Sequence, residues 1–357
     1  MKGSREPGCP SSCTRAASEM VSGNQLRSDM LDLGVAGGLL IVIRGHRGAA
    51  MNTGSEKAHT VRVGDLSLIC HIRGRGPLCF VHPGGPGLSG DYLRMPLLER
   101  RLTMVYLEPV GTGGSSRLPA GATYDLETYA DHLDAVIANL SDVPVLVLGH
   151  GHGGFVAQSL ALRRPDRTAG LILYATAPMA DHHTRAAARE KLRQYALAHA
   201  DRTDAEAMIA AFDRPADRWV HESTARLWQL LPAYFADYWR RRTEFAHLLG
   251  ALPCWPRPAT DFDLRGALPS ISAPTIVVAG VHDFAFGPEP AEMLRSAIPD
   301  AVLAEFSDSG HFPHLEEAER FSHVVLEFAL RVCGGVPGRP RRAGELALTG
   351  RHDARWW

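Results

Sequence analysis

The chain has 357 residues, 45% of them apolar and 22% charged, with a formal net charge of −1. Such a length and composition suit a soluble globular protein with a large buried core. The near-neutral balance excludes a global basic field for nucleic acid and an acidic disordered bulk. Basic residues are 35 Arg and only 3 Lys, a skew that fits a GC-rich coding sequence and does not by itself mean Arg-based recognition. Cys9, Cys13, Cys70, Cys79, Cys254 and Cys333 form no CxxC and no framework spacing, so reduced thiols in a cytoplasmic protein are expected. The longest apolar run, Leu33–Ile43, is too short to span a bilayer. Asp29 and Asp32 stand where a signal peptide would need basic residues, so no membrane partner is expected.

Residues 1–50 lack sustained periodicity and read as a loose or mis-assigned extension, with Met51 as an alternative start. Strand patterns follow. Val61–Asp65 and Leu66–Ile72 predict a hairpin; Leu78–His82 and Met104–Glu108 predict two buried strands, with a helix over 91–101 between them. A helix over 125–140 precedes the apolar run Val143–Leu148, and a helix over 154–164 separates that run from Leu171–Thr176. Later come Thr275–Ala279, a helix over 287–298, Val302–Phe306 and a helix over 315–332. Short all-apolar strands alternating with helices predict a mostly parallel sheet covered on both faces.

Residues 179–268 interrupt this alternation with several helices and no convincing strand. The expected organisation is a core of 51–178 and 269–332, a helical cap over 179–268 and a disordered tail over 333–357. The cap holds Trp219, Trp228, Trp239 and Trp255 with Tyr195, Tyr234 and Tyr238. Such an aromatic insertion either packs on itself or covers an apolar pocket, with Trp219, Trp228, Tyr234 and Trp239 as candidate lining.

After Val143–Leu148 comes Gly149-His150-Gly151-His152-Gly153-Gly154. Gly149, Gly151 and Gly154 spell GxGxxG, the phosphate-binding fingerprint of Rossmann-type NAD(P) proteins. That fingerprint opens its sheet, whereas strand patterns precede it here. The next strand ends Tyr174-Ala175-Thr176, with no acid for a ribose. No nicotinamide, flavin or other cofactor is therefore expected.

The same residues resemble the G-x-S-x-G nucleophile elbow of the α/β-hydrolase superfamily, with Gly151 at the serine position. Phe80–Gly87 resembles the HGGPG oxyanion loop of its proline iminopeptidase-like branch, with Pro83 intruding after His82. Leu107–Ser115 resembles that branch's D-x-R-G-x-G-x-S loop, with Glu108 for Asp and Val110 for Arg. Val278–Asp283 and Ser309–Glu316 are similar to the segments that supply the triad acid and histidine. The order of these elements over about residues 60–332 implies an α/β-hydrolase fold, with an eight-stranded sheet and a cap between its sixth and seventh strands.

By position the resemblance implies Asp283 as acid, His311 as base, and the backbone N–H groups of Gly85 and His152 as oxyanion donors. Glu108 is a possible second carboxylate or a brace for its own loop. Gly151 has no side chain, so no acyl-enzyme forms there. Three readings follow: His311–Asp283 general acid/base chemistry of the isomerase, epimerase or lyase kind; hydrolysis by His-activated water; or a binding protein without catalysis. The superfamily includes lyases, cofactor-free oxygenases and a nucleophile-lacking peptide epimerase. Ser115, Ser116 and Cys254 are weaker candidate nucleophiles.

His82, His150, His152, His282, His311 and His314 all fall near strand ends, but most belong to hydrolase motifs, so no metal is expected. The expected partner is a small-molecule or peptide substrate. Glu190, Glu222, Asp237 and Glu244 are the cap acids available to read a free amine, as the iminopeptidase branch does.

Overall fold

The computed structural model describes residues 57–215, 218–257 and 261–334. The extension 1–50 and the tail beyond Gly334 lie outside the described residues.

Strands β1 (Lys57–Val63) and β2 (Leu66–Gly74) form the expected antiparallel hairpin. β3 (Leu78–His82), β4 (Thr103–Glu108), β5 (Val145–His150), β6 (Thr168–Tyr174), β7 (Thr275–Gly280) and β8 (Ala301–Phe306) complete one sheet. Its order is β1-β2-β4-β3-β5-β6-β7-β8, and every pair beyond β2–β4 is parallel. All residues of β3, β5 and β7 are buried, whereas β2 alternates. Continuous apolar runs are what a strand covered on both faces requires.

Helices α1 (Leu126–Leu140) and α2 (His152–Arg163) pack together, and α2 lies on β3, β5 and β6. Leu146, Leu148, Ile172 and Tyr174, at alternating positions, join a core with Phe321, Val325 and Phe328 of α8 (Ala318–Cys333). α7 (Pro288–Ala297) packs on β7 and β8. The side chain of Asp125 accepts from the Thr128 N–H at 2.8 Å, which caps α1 one residue after the expected start.

Between β6 and β7 stand α3 (His182–Ala198), α4 (Ala205–Asp213), α5 (Val220–Leu230) and α6 (Tyr238–Phe245). A two-residue antiparallel pair, Met179–Ala180 with Phe262–Asp263, closes the base of this insertion.

Several expected boundaries move; among them, β1 starts at Lys57, four residues early, and β6 runs Thr168–Tyr174. The helix over 91–101 becomes a 3-10 turn, Gly90–Leu93, and one helical turn, Pro96–Glu99, because proline disfavours a helical residue before it. β5 starts at Val145, since Pro144 follows a turn in which Ser141 Oγ bonds both the N–H and the C=O of Val143. The last helix runs through Cys333. The sheet order also removes the dinucleotide reading, because the glycine turn follows the fifth strand of a sheet opened by an antiparallel hairpin.

Candidate active site

β5 ends at His150, and the chain turns through Gly151 into α2. Gly151 has φ +52° and ψ −117°, a conformation that L side chains rarely adopt and that glycine takes without steric cost. A Cβ on Gly149 would collide with the carbonyl of Gly153, so this glycine permits strand and helix to approach. The spacing therefore reflects the sterics of a sharp strand-to-helix turn.

The loop after β7 delivers Asp283, and the loop after β8 delivers His311. His311 Nδ1–H donates to Asp283 Oδ2 at 2.7 Å, and the Ala285 N–H donates to Oδ1 at 2.9 Å. The Asp283 side chain is 0% exposed. With Nδ1 engaged as donor, Nε2 of His311 carries the lone pair. A Cβ built on Gly151 would stand 3.6 Å from that Nε2 and 3.6 Å from Cα of Gly84. The His311 N–H donates to the carbonyl of Tyr234 at 2.6 Å, which ties the histidine loop to the insertion.

Gly85 and His152 both border the cavity at Gly151. His152 opens α2, so its N–H has no acceptor within the helix. Its ring packs edge-on to Tyr129 at 5.2 Å, and burial, reinforced by nearby His82, pushes its pKa down to about 3.

A buried polar chain lies behind these residues. The Gly84 N–H donates to Tyr92 Oη at 2.7 Å, and Tyr92 O–H donates to His150 Nδ1 at 2.7 Å. His150 Nε2–H donates to the carbonyl of His311 at 3.1 Å. Since a carbonyl only accepts, the tautomer follows. His314 repeats the pattern, with Nε2–H on the carbonyl of Tyr92 and Nδ1 accepting from Tyr174. The histidines of the site thus bond carbonyls, tyrosines and Asp283, and the described residues contain no metal-ligating cluster. The sequence reading missed the bonding roles of Tyr92, His150 and His314; only the apolar patterning around them hinted at burial.

A cavity of about 520 Å³ opens above Gly151. Tyr234, Phe286 and Phe312 border it together with His311, Gly85 and His152. The tryptophan expectation is corrected here. Trp219 is 54% and Trp228 43% exposed, and Trp239 packs on Tyr238; none of the three borders the cavity, because their helix faces turn outward or sideways.

Glu108 does not reach the cavity either. Its Oε1 bonds His71 Nε2 at 2.7 Å, and its Oε2 accepts from the Gly114 N–H. Ser115 Oγ bonds the Glu108 carbonyl and the Ile69 N–H, and Ser116 Oγ accepts from the Ser67 N–H. Both serines brace loops, whereas Cys254 borders the cavity. The cap acids lie away from it. Glu190 binds Arg193, Glu222 accepts at the start of α5, Asp237 binds Arg240 and Glu244 binds Arg241.

The family described as alpha/beta hydrolase fold matches residues 77–318. The chain belongs to this family. It is 32% identical over 267 residues to the polyketide synthase ThaQ of Burkholderia thailandensis, covering 71% of this chain but 12% of that far longer protein. It is 29% identical over 265 residues to the 2-hydroxymuconate semialdehyde hydrolase of a Pseudomonas species, covering 72% of this chain and 88% of that one. Among solved structures, an alpha/beta fold family hydrolase from Bacillus anthracis superposes with a TM-score of 0.60 at 17% identity, covering 76% of this chain and 99% of that one. A proline iminopeptidase from Mycobacterium smegmatis does so with a TM-score of 0.57 at 23% identity, covering 77% and 98%. These two likenesses concern the fold.

Proposed function

We propose that the chain is a hydrolase of this family that works without a covalent intermediate. His311, oriented by Asp283, activates water against a substrate carbonyl in the cavity beneath the cap formed by residues 179–268. The observation that carries this reading is the direction of His311: Nδ1 is held by Asp283, and Nε2 faces the point where a side chain on Gly151 would stand, 3.6 Å from its Cβ. A water at the position of the missing hydroxyl has the general base within reach.

In the proposed step, Nε2 takes a proton from water as its oxygen adds to the carbonyl. The backbone N–H groups of Gly85 and His152 stabilise the oxyanion. Nε2–H then protonates the leaving group as the tetrahedral adduct collapses, which returns His311 to its starting state. Buried Asp283 keeps the tautomer and stabilises the imidazolium.

A second reading uses the same residues for proton abstraction from a substrate C–H, giving isomerase, epimerase or lyase chemistry. The bare Gly151 favours it. The names of matched relatives, 2-hydroxymuconate semialdehyde hydrolase among them, support hydrolysis ahead of it.

The test is a panel of aryl esters, thioesters and aminoacyl anilides in H₂¹⁸O. Hydrolysis without a burst, one ¹⁸O per product acid, no fluorophosphonate labelling and loss of turnover in His311→Ala are expected. Burst kinetics with labelling of the wild type would place a nucleophile elsewhere. Turnover unaffected by His311→Ala would overturn the proposal.

A further inference from the structure

The charged residues around the cavity are almost all of one sign. Among the described residues, Arg185, Arg214, Arg226 and Arg257 border it, against the single acid Asp213. The Asp213 carboxylate is itself bound to Arg189 at 2.8 Å. Arg214 and Arg226 have further partners of their own and are set aside. Arg185 and Arg257 are different. Arg185 Nη2 donates to the Phe212 carbonyl at 2.7 Å and stacks over that ring at 4.8 Å. Arg257 donates to the carbonyls of Gly111 and Pro256, both at 2.6 Å, and lies 3.9 Å over the ring of Tyr124. Carbonyls and rings orient a guanidinium without cancelling its charge. Among the described residues neither arginine has a carboxylate within 4.0 Å.

One further group is short of a partner: the hydroxyl of Ser223, a residue only 1% exposed that borders the cavity, is buried without a hydrogen bond. Ser223, Leu227 and Leu230 fall at i, i+4 and i+7 of α5, so one helix face brings the hydroxyl and two leucines to the same space. An arginine-rich sequence scatters arginines widely; here, among the described residues, the one acid at the cavity is bound to Arg189, and two guanidiniums with no carboxylate within 4.0 Å sit at the wall.

We infer that the cavity selects an organic anion, a carboxylate or phosphate monoester carried on an apolar body. The charge pairs with a guanidinium of the wall, and the body lies against Leu227, Leu230, Phe286 and Phe312. Arg257 is half-buried and Arg185 exposed at the rim; a guanidinium recognises carboxylate and phosphate by charge-assisted hydrogen bonds, and a wall dominated by one sign of charge disfavours a cation. The inference rests on the reading above only in taking this cavity as the substrate site. It runs against recognition of a free amine, for which the described residues of the cavity hold no unpaired acid.

The experiment is direct binding to the full chain, by calorimetry at low salt, of four probes with one body: 4-phenylbutyrate, 4-phenylbutyl phosphate, 4-phenylbutanol and 4-phenylbutylamine. At least one of the two anions is expected to bind at least about tenfold more tightly than the alcohol or the amine, with affinity falling as salt rises. The tighter of the two identifies the headgroup. Arg257→Gln or Arg185→Gln is expected to remove that advantage. Arg257→Lys, which keeps the charge, is expected to retain part of it and guards against loss through misfolding. Equal binding of alcohol and anions, or preference for the amine, would overturn the inference, as would anion affinity within twofold of wild type in both glutamine variants. His311→Ala separates the two proposals: anion selectivity with unaltered turnover in that variant refutes the catalytic reading alone.

Discussion

The ring of His150 donates through Nε2 to the main-chain carbonyl of His311, 3.1 Å away. The residue before the elbow glycine thereby holds the loop that carries the histidine of the site. Its other nitrogen accepts from Tyr92, whose oxygen also takes the Gly84 N–H, so one buried chain joins three loops. Burial, with His311 close by, holds the His150 pKa well below its ordinary value, and the ring stays neutral.

His150→Phe keeps the ring volume and strands the hydroxyl of Tyr92 and the carbonyl of His311. A loss of about 1–3 kcal/mol in urea unfolding is expected, as for buried polar groups left unpaired. Turnover by the remaining folded protein should also fall, because the carbonyl of His311 is no longer held. A folded, fully active variant would show that this chain does not position the base.

Gly151→Ser rebuilds the missing hydroxyl. The added Cβ meets only ordinary contacts at 3.6 and 3.7 Å, so the cost comes from φ +52°, about 1–3 kcal/mol. Burst-phase ester hydrolysis and fluorophosphonate labelling are expected. Gly151→Ala carries the same backbone cost without the hydroxyl and should show neither. Turnover by the wild-type route should fall in both, since each fills the space assigned to water.

Glu108→Gln tests the loop role of this carboxylate. The variant weakens the bonds to His71 and to the Gly114 N–H, and a loss of about 1–2 kcal/mol of stability is expected. The Michaelis constant and the rate per folded molecule should not change. A specific fall in rate with stability intact would return Glu108 to the chemistry.

Acid should destabilise the fold. Burial pushes His82 and His314 down to about 4 and His152 to about 3. Their stabilising contribution is complete above pH 6.5. It is lost as pH falls from 6.5 toward 4, and on toward 3 for His152, where the unfolded chain binds protons that the folded chain does not, at about 3 kcal/mol each for His82 and His314 in the limit and more for His152. Glu316 acts in the opposite sense. Burial raises its carboxyl to about 7, so its contribution is present below 4.5 and lost as pH rises through 7. With His150, four histidines outweigh one carboxyl, so the urea midpoint should be lower at pH 4.5 than at pH 7. Glu316→Gln should steepen the acid loss. A midpoint independent of pH would contradict the burial of these rings.

The sequence by itself determined the sheet and the elbow. Runs such as Leu78–His82 and Thr275–Gly280 are mostly apolar, and buried at every position, because both faces are covered, and that pattern is local to a few residues. Gly149 and Gly151 were legible for a similar reason, since a close approach excludes a side chain at Gly149 and a positive φ disfavours one at Gly151. What tertiary structure alone decided is which side chains of the insertion face the cavity. Tyr234 turns in while Trp219 and Trp228 stay largely exposed, although composition makes all three equal candidates. Glu108 likewise binds His71 and Gly114 across strand and loop, a choice made by neighbours 37 and 6 residues away in the chain. The arginines of the wall were hidden for the same physical reason. A guanidinium on a long apolar stem suits solvent, a ring face or a cavity equally well, and only tertiary neighbours, the Phe212 ring for Arg185 and the Tyr124 ring for Arg257, select among them.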